Sequence, residues 1–124
     1  MPPQVTIDPR GSIILNASAY EKIKNSNIVK LMFDSERNYI GIAASSIEGE
    51  GHPVRKYPGS PPRAAISATA FLDHFDVPHA ETKRWNARLS EEVLVVDLNS
   101  TPKVISRKRK PKGVPDTKVE ESPI

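Results

Sequence analysis

The chain has 124 residues, 37% apolar and 27% charged, and no cysteine; this leaves room for one modest core and excludes disulfide staples, thiol nucleophiles and cysteine-ligated metals. Its net charge of +3 is uneven, because seven basic residues stand against three acidic ones from Lys103 onward (+4), while residues 1–102 carry −1; basicity alone therefore does not make the folded part a nucleic-acid binder. Apolar runs are too short to cross a bilayer and Met1-Pro2-Pro3-Gln4 does not begin a signal peptide, so the expectation is a cytoplasmic protein without membrane contact, and the small core predicts a homo-oligomer.

Val5-Thr-Ile7 alternates as a half-buried strand does. Asp8-Pro-Arg-Gly11 supplies a turn with Gly11 available for positive φ, and Ser12 to Leu15 continues as a second strand. Asn16 suits the N-cap of a short helix in which Ala19, Tyr20 and Ile23 form one apolar stripe before Asn25-Ser-Asn27 ends it. In Ile28-Val-Lys-Leu-Met-Phe33 the residues Val29, Leu31 and Phe33 share a face. Asp34 to Asn38 reads as a five-residue hairpin loop, with Tyr39 to Ala43 as the returning strand.

The stretch from Ser45 to Pro62 is dense in proline and glycine and reads as a long connection, with a short edge strand at Val54 to Tyr57. Leu15-Asn-Ala-Ser-Ala-Tyr20 then matches Ile66-Ser-Ala-Thr-Ala-Phe71 position by position. Each run is an aliphatic strand end, a capping residue and a helix start, so Ser67 is expected to cap a second helix running from Ala68 to about Phe75. Lys83 to Leu89 and Val93 to Leu98 form a second hairpin around Ser90-Glu-Glu92. Two readings stay open: a true internal repeat, or the same elements without symmetry.

The expected fold class is α+β, a small β-rich domain of two strand-helix-strand-strand units. The first covers residues 1–44 and the second 63–99, joined by a Pro/Gly-rich linker over 45–62 and followed by a disordered basic tail over 100–124.

Nothing in the chain carries catalysis or a cofactor: nucleotide-binding glycine motifs, a nucleophile elbow and a zinc-protease motif are all absent. His74 and His79 are five residues apart with Val77-Pro78 between them, a spacing that does not make a metal site. Arg107, Lys108, Arg109 and Lys110 form the densest basic run, suited either to unspecific contact with phosphates or to keeping the chain in solution. Trp85 lies in Lys83-Arg-Trp-Asn-Ala-Arg88, where it either closes the core, with its indole N–H finding a partner, or anchors a binding partner.

The segment Val5-Thr-Ile-Asp-Pro-Arg-Gly-Ser-Ile-Ile-Leu-Asn16, with the short helix and the hairpin Ile28 to Ile42, resembles the AbrB/MazE/SpoVT-like swapped-hairpin domain over about 40 residues, most sharply at Arg10-Gly11. That family reads strand, basic residue and Gly, strand, short helix and hairpin, and two copies interlace into a DNA-binding barrel. A repeat in one chain is similar to the tandem MraZ regulators. The resemblance implies a swapped-hairpin barrel that binds DNA in transcription regulation, with Arg10, Lys22 and Arg37 as candidate DNA-binding residues, of which only Arg10 stands at a motif position. The chain has Asn16 where the family usually has proline, and fewer basic residues on the corresponding face. The alternative is a protein-interaction or structural accessory module that meets another protein through its hairpins and Trp85, without nucleic acid.

Overall fold

The computed structural model describes residues 2–45, 51–59 and 62–105. In chain order these form β1 (Gln4–Ile7), β2 (Ser12–Leu15), α1 (Ala17–Lys22), β3 (Ile28–Asp34), β4 (Tyr39–Ala44), β5 (His52–Tyr57), β6 (Arg63–Ser67), α2 (Thr69–His74), β7 (Lys83–Ser90), β8 (Val93–Asp97) and β9 (Lys103–Val104). The strands are antiparallel neighbours in the order β1-β2-β6-β5-β3-β4-β8-β7, and β7 returns to β1, so eight strands close a barrel. β7 closes it by changing partner, meeting β1 through Lys83–Asn86 and β8 through Ala87–Ser90.

The pairing has a twofold pattern. Exchanging β1, β2, β3 and β4 for β5, β6, β7 and β8 leaves the barrel pairings unchanged: β1–β2 becomes β5–β6, β1–β7 becomes β5–β3, and β2–β6 and β4–β8 map onto themselves. A short helix follows the second strand of each half. Each half is therefore strand-strand-helix-strand-strand, one strand more than the unit expected from the sequence.

Alternation sets what lies inside. Val5, Ile7, Ile13, Leu15, Ile42 and Leu94 are all at most 1% exposed, and each is flanked along its strand by residues that face out, as the period of two requires. Burying an aliphatic side chain of this size contributes roughly 1.5–3 kcal/mol, and the two halves share the benefit because their strands interleave. α1 covers β1, β2 and β6 with Ala19 and Tyr20, and α2 buries Leu72. Trp85, paired with Val5, is 5% exposed and belongs to the core. Contrary to the expectation for its indole, Nε1 meets no hydrogen-bond partner among the described residues.

Four further expectations are corrected. β5 runs from His52 and is no edge strand, because β6 pairs along one side and β3 along the other; Pro53, which cannot donate, stands near the start of the strand, where the ladder can spare an N–H. Ser67 does not cap α2: it stays in β6 opposite Ser12, and Ala68 takes the N-cap position with no side-chain cap. The β3–β4 turn has four residues, 35–38, because Asp34 still pairs with Tyr39. Lys103–Val104 is paired with β7 where an unstructured tail was expected from residue 100; residues 106–124, with Arg107, Lys108, Arg109 and Lys110, lie outside the described residues. Among the described residues no helix is long and apolar enough to cross a membrane.

Candidate functional site

With Val5, Ile7, Ile13 and Leu15 pointing inward, Thr6 and Ile14 must point outward. The register carries that outward position across six strands: Lys103, Arg84, Thr6, Ile14, Ala65 and Arg55 are successive cross-strand partners. A neighbouring row pairs Asn86 with Gln4 and Arg63 with Tyr57, and Asn16 stands between the two pairs by accepting the Gln4 amide at 3.0 Å. Gln4, Thr6, Ile14, Asn16, Arg63 and Arg84 line one shallow groove of about 210 Å³.

Among the described residues this face carries Arg55, Arg63, Arg84 and Lys103 and no carboxylate. The Arg84 Nε donates to the Thr6 hydroxyl at 3.3 Å, and Arg55 Nη1 reaches the Tyr57 hydroxyl at 3.4 Å. None of the four cations has an ion-pair partner among the described residues. Uncharged hydrogen-bonding groups (Gln4, Thr6, Asn16, Asn86) fill the space between them. Chemically such an arrangement is able to bind anion oxygens: cations without an ion-pair partner among the described residues, with amides and a hydroxyl beside them that can donate further hydrogen bonds.

Acidic side chains gather elsewhere, and there they meet the basic residues picked out from the sequence. Arg37 lies in the β3–β4 turn with its Nη1 2.9 Å from Asp34 Oδ2. The Asp34 carboxyl is held below its ordinary range, first by the Arg37 backbone N–H, then by the Arg37 guanidinium, with the Glu36 N–H adding to the effect. Lys22 ends α1 and shares a groove with Lys24, Glu91 and Glu92. Arg10 stands at the tip of the β1–β2 hairpin with an 84% exposed side chain, 3.6 Å from Asp8. Arg10, Lys22 and Arg37 thus lie on three separate elements, and the fold does not bring them together into one site.

The Arg10 turn is built with care. Asp8, 7% exposed, accepts the backbone N–H groups of Arg10 and Ser12 through Oδ1 at 3.1 and 2.9 Å. The turn docks on the start of α2, where the Thr69 hydroxyl donates to the Arg10 carbonyl at 2.9 Å and the Ala68 N–H to the Gly11 carbonyl at 2.9 Å. His79 links the same two elements: Nε2 is 3.0 Å from Asp73 Oδ1 and Nδ1 is 3.3 Å from the Pro9 carbonyl. Trp85, the candidate partner anchor, is buried and sits beneath the face, beside Arg84 in sequence.

Sequence reasoning missed Arg55, Arg63 and Arg84 as a group. They lie on three different strands, and only the cross-strand order, which joins β7 to β1, β2 to β6 and β6 to β5, assembles them. Comparison with protein-family models, with curated proteins and with solved structures finds no match for this chain.

Proposed function

We propose that the chain is a non-catalytic DNA-binding protein of regulatory type, and that its barrel is a tandem swapped-hairpin domain in which one chain supplies both interlaced copies. The observation that carries the binding role is the outer face with Arg55, Arg63, Arg84 and Lys103 and, among the described residues, no carboxylate. The twofold exchange of strand pairings supports the architecture.

Duplex fits this face better than single strand. Arg84 and Arg55 are four strand steps apart along the row, roughly 19 Å along the curved surface at about 4.8 Å per step. That is wide enough to reach phosphates on both sides of a major groove about 12 Å across. The face offers Tyr57 alone as an aromatic among the described residues, too little for the stacking platform that single strands use. Arg10, 84% exposed although 3.6 Å from Asp8, stands at the tip of the hairpin that runs through the middle of the face and extends the cationic surface, whereas Lys22 on α1 and Arg37 in the β3–β4 turn are secondary because they belong to elements outside the face.

Gel-shift titration of a duplex at several salt concentrations tests this. Changing Arg55, Arg63 and Arg84 to Gln should weaken binding and reduce the salt slope by about 0.9 for each phosphate that is no longer neutralised. Affinity and slope that stay at wild-type values in the triple variant would remove the face from the mechanism. Arg37→Ala should have the smaller effect, because its charge is already engaged.

A second reading, as a protein-interaction module, draws on the other side of the barrel. There Met32, Gly41 and Val95 are successive outward cross-strand partners, and Ala43 and Val93 on the same strands β4 and β8 are also apolar and half exposed. A chain ending at residue 105 separates the sources of any affinity: binding that disappears with residues 106–124 would assign nucleic-acid contact to that segment and favour the interaction reading for the barrel.

A further inference from the structure

His79 lies between two oxygens, Asp73 Oδ1 at 3.0 Å from Nε2 and the Pro9 carbonyl at 3.3 Å from Nδ1. A neutral imidazole has one N–H, so in either tautomer one ring nitrogen must turn a lone pair toward an oxygen. The imidazolium donates to both. The geometry therefore selects the protonated ring, and the ring's two bonds join α2 to the turn that carries Arg10.

The Asp73 and Asp8 carboxylates favour the protonated ring, and Arg10 is already engaged by Asp8. From α2 and its end come Asp73, His74 and Asp76, with Asp76 lining the same surface recess as His79. From the turn come Asp8, whose carboxylate holds the Arg10 and Ser12 N–H groups, and Arg10 itself, 3.6 Å from Asp8. Two residues along the chain, Glu81 is 3.9 Å from Lys83. The His79 side chain is 17% exposed. Its pKa is raised, chiefly by the hydrogen bond to Asp73, with burial opposing and the Pro9 carbonyl and the charges of Asp73 and Asp8 assisting.

We propose that His79 is a proton-operated clasp that fixes the Arg10 turn against α2, so that Arg10 is firmly presented to a polyanion when the ring is protonated and loosely presented when it is not. The clasp rests on the DNA-binding reading for its consequence, but not for its structure. Two fixed bonds, Thr69 hydroxyl to Arg10 carbonyl and Ala68 N–H to Gly11 carbonyl, hold the turn at either pH. The third point of attachment is the one that titrates.

Nuclear magnetic resonance on the full chain reads the clasp without DNA. His79 is expected to titrate above the ordinary histidine range, and the exchange protection of the Ala68 amide, corrected for intrinsic pH effects, should fall about threefold to tenfold as pH passes through that titration. His79→Gln and Asp73→Asn should each leave Ala68 at the lower protection at every pH. Duplex affinity should weaken over the same pH interval in wild type and lose that pH dependence in Arg10→Ala, where His79 still titrates. A His79 that titrates at or below the ordinary histidine range, Ala68 protection that ignores its titration, or pH-dependent affinity that survives in Arg10→Ala would each overturn the proposal. No duplex binding at any pH, with Ala68 protection still following His79, would support the clasp and strike out the DNA-binding reading instead.

Discussion

Gly11 holds φ +85°, and a Cβ placed there would lie 2.8 Å from the Thr69 Cα and closer still to the Thr69 hydroxyl. Both facts argue against any side chain: the backbone region is unfavourable for L-residues, and the obstruction includes main chain, which cannot swing aside. Gly11→Ala should therefore cost about 2–4 kcal/mol in urea unfolding, and a cost below that of an ordinary surface substitution would mean that the turn docks on α2 less tightly than described. Asp34 makes a different residue-scale case. Its carboxyl is held below the ordinary value of 3.8 by the Arg37 N–H and guanidinium. A group depressed on folding contributes stability above its unfolded pKa and loses it as pH falls through the folded value. Asp34→Asn should accordingly destabilise at neutral pH and become indistinguishable from wild type in strong acid. A difference that persists there would show that the amide disturbs the turn sterically.

At the scale of elements, what could be read from the sequence was what is local. Alternation in Val5-Thr-Ile7 marked β1, the extended run Ser12 to Leu15 after the Asp8–Gly11 turn marked β2, and the Asn16 side chain accepts the Ala19 N–H at 2.9 Å as a cap should. β5 was legible only in part, because His52-Pro-Val-Arg-Lys-Tyr57 contains a proline and two cations and lacks an apolar face; its place is dictated by β3 and β6, not by its own pattern. Ser67 misled for the same reason, since the ladder to β2 keeps it in the strand. The β7–β8 hairpin was located correctly, yet its turn breaks a local rule: Glu91 and Glu92 stand at φ 51° and 69° between the paired Ser90 and Val93. Two positive φ angles in a two-residue loop favour Asn-Gly. Replacing Glu91 by Asn and Glu92 by Gly should raise stability by about 1–2 kcal/mol, read as a higher denaturation midpoint. A lower midpoint would indicate that the carboxylates are held by Lys22 and Lys24 across their shared groove strongly enough to outweigh the backbone strain.

For the whole molecule the governing fact is that neither half can close a barrel by itself. Within residues 1–45 the strands pair only as β1–β2 and β3–β4, and the pairings β1–β7, β2–β6, β3–β5 and β4–β8 all cross from one half to the other. Ile42 faces Leu94 and Val5 faces Trp85 across those boundaries, so the core is made of residues that the separate halves would leave in water. One chain supplies all eight strands, so closure of the barrel itself needs no second copy. The candidate face was illegible in the sequence for the same reason, because Arg63 joins Asn16 in one groove and Arg84 reaches Thr6 only through cross-half pairing.

Fragments 1–48 and 49–124 test this interleaving directly. Apart and dilute, each should lack stable sheet structure, and Trp85 should be exposed and emit at long wavelength. Mixed in equal amounts, they should recover the sheet signal and a buried Trp85, with an apparent affinity that tightens as urea is removed. A stable monomer of either fragment with buried core residues would contradict the pairing scheme. A homodimer formed by one fragment at high concentration has a specific meaning: the twofold exchange of strands allows two identical halves to occupy the places of the two unlike ones, which is how a swapped-hairpin barrel assembles. The fragment 49–124 is the more informative of the two, because it carries Trp85 and its dimer would have to find substitutes for Val5 and Ile7 in a strand that offers Val54 and Lys56.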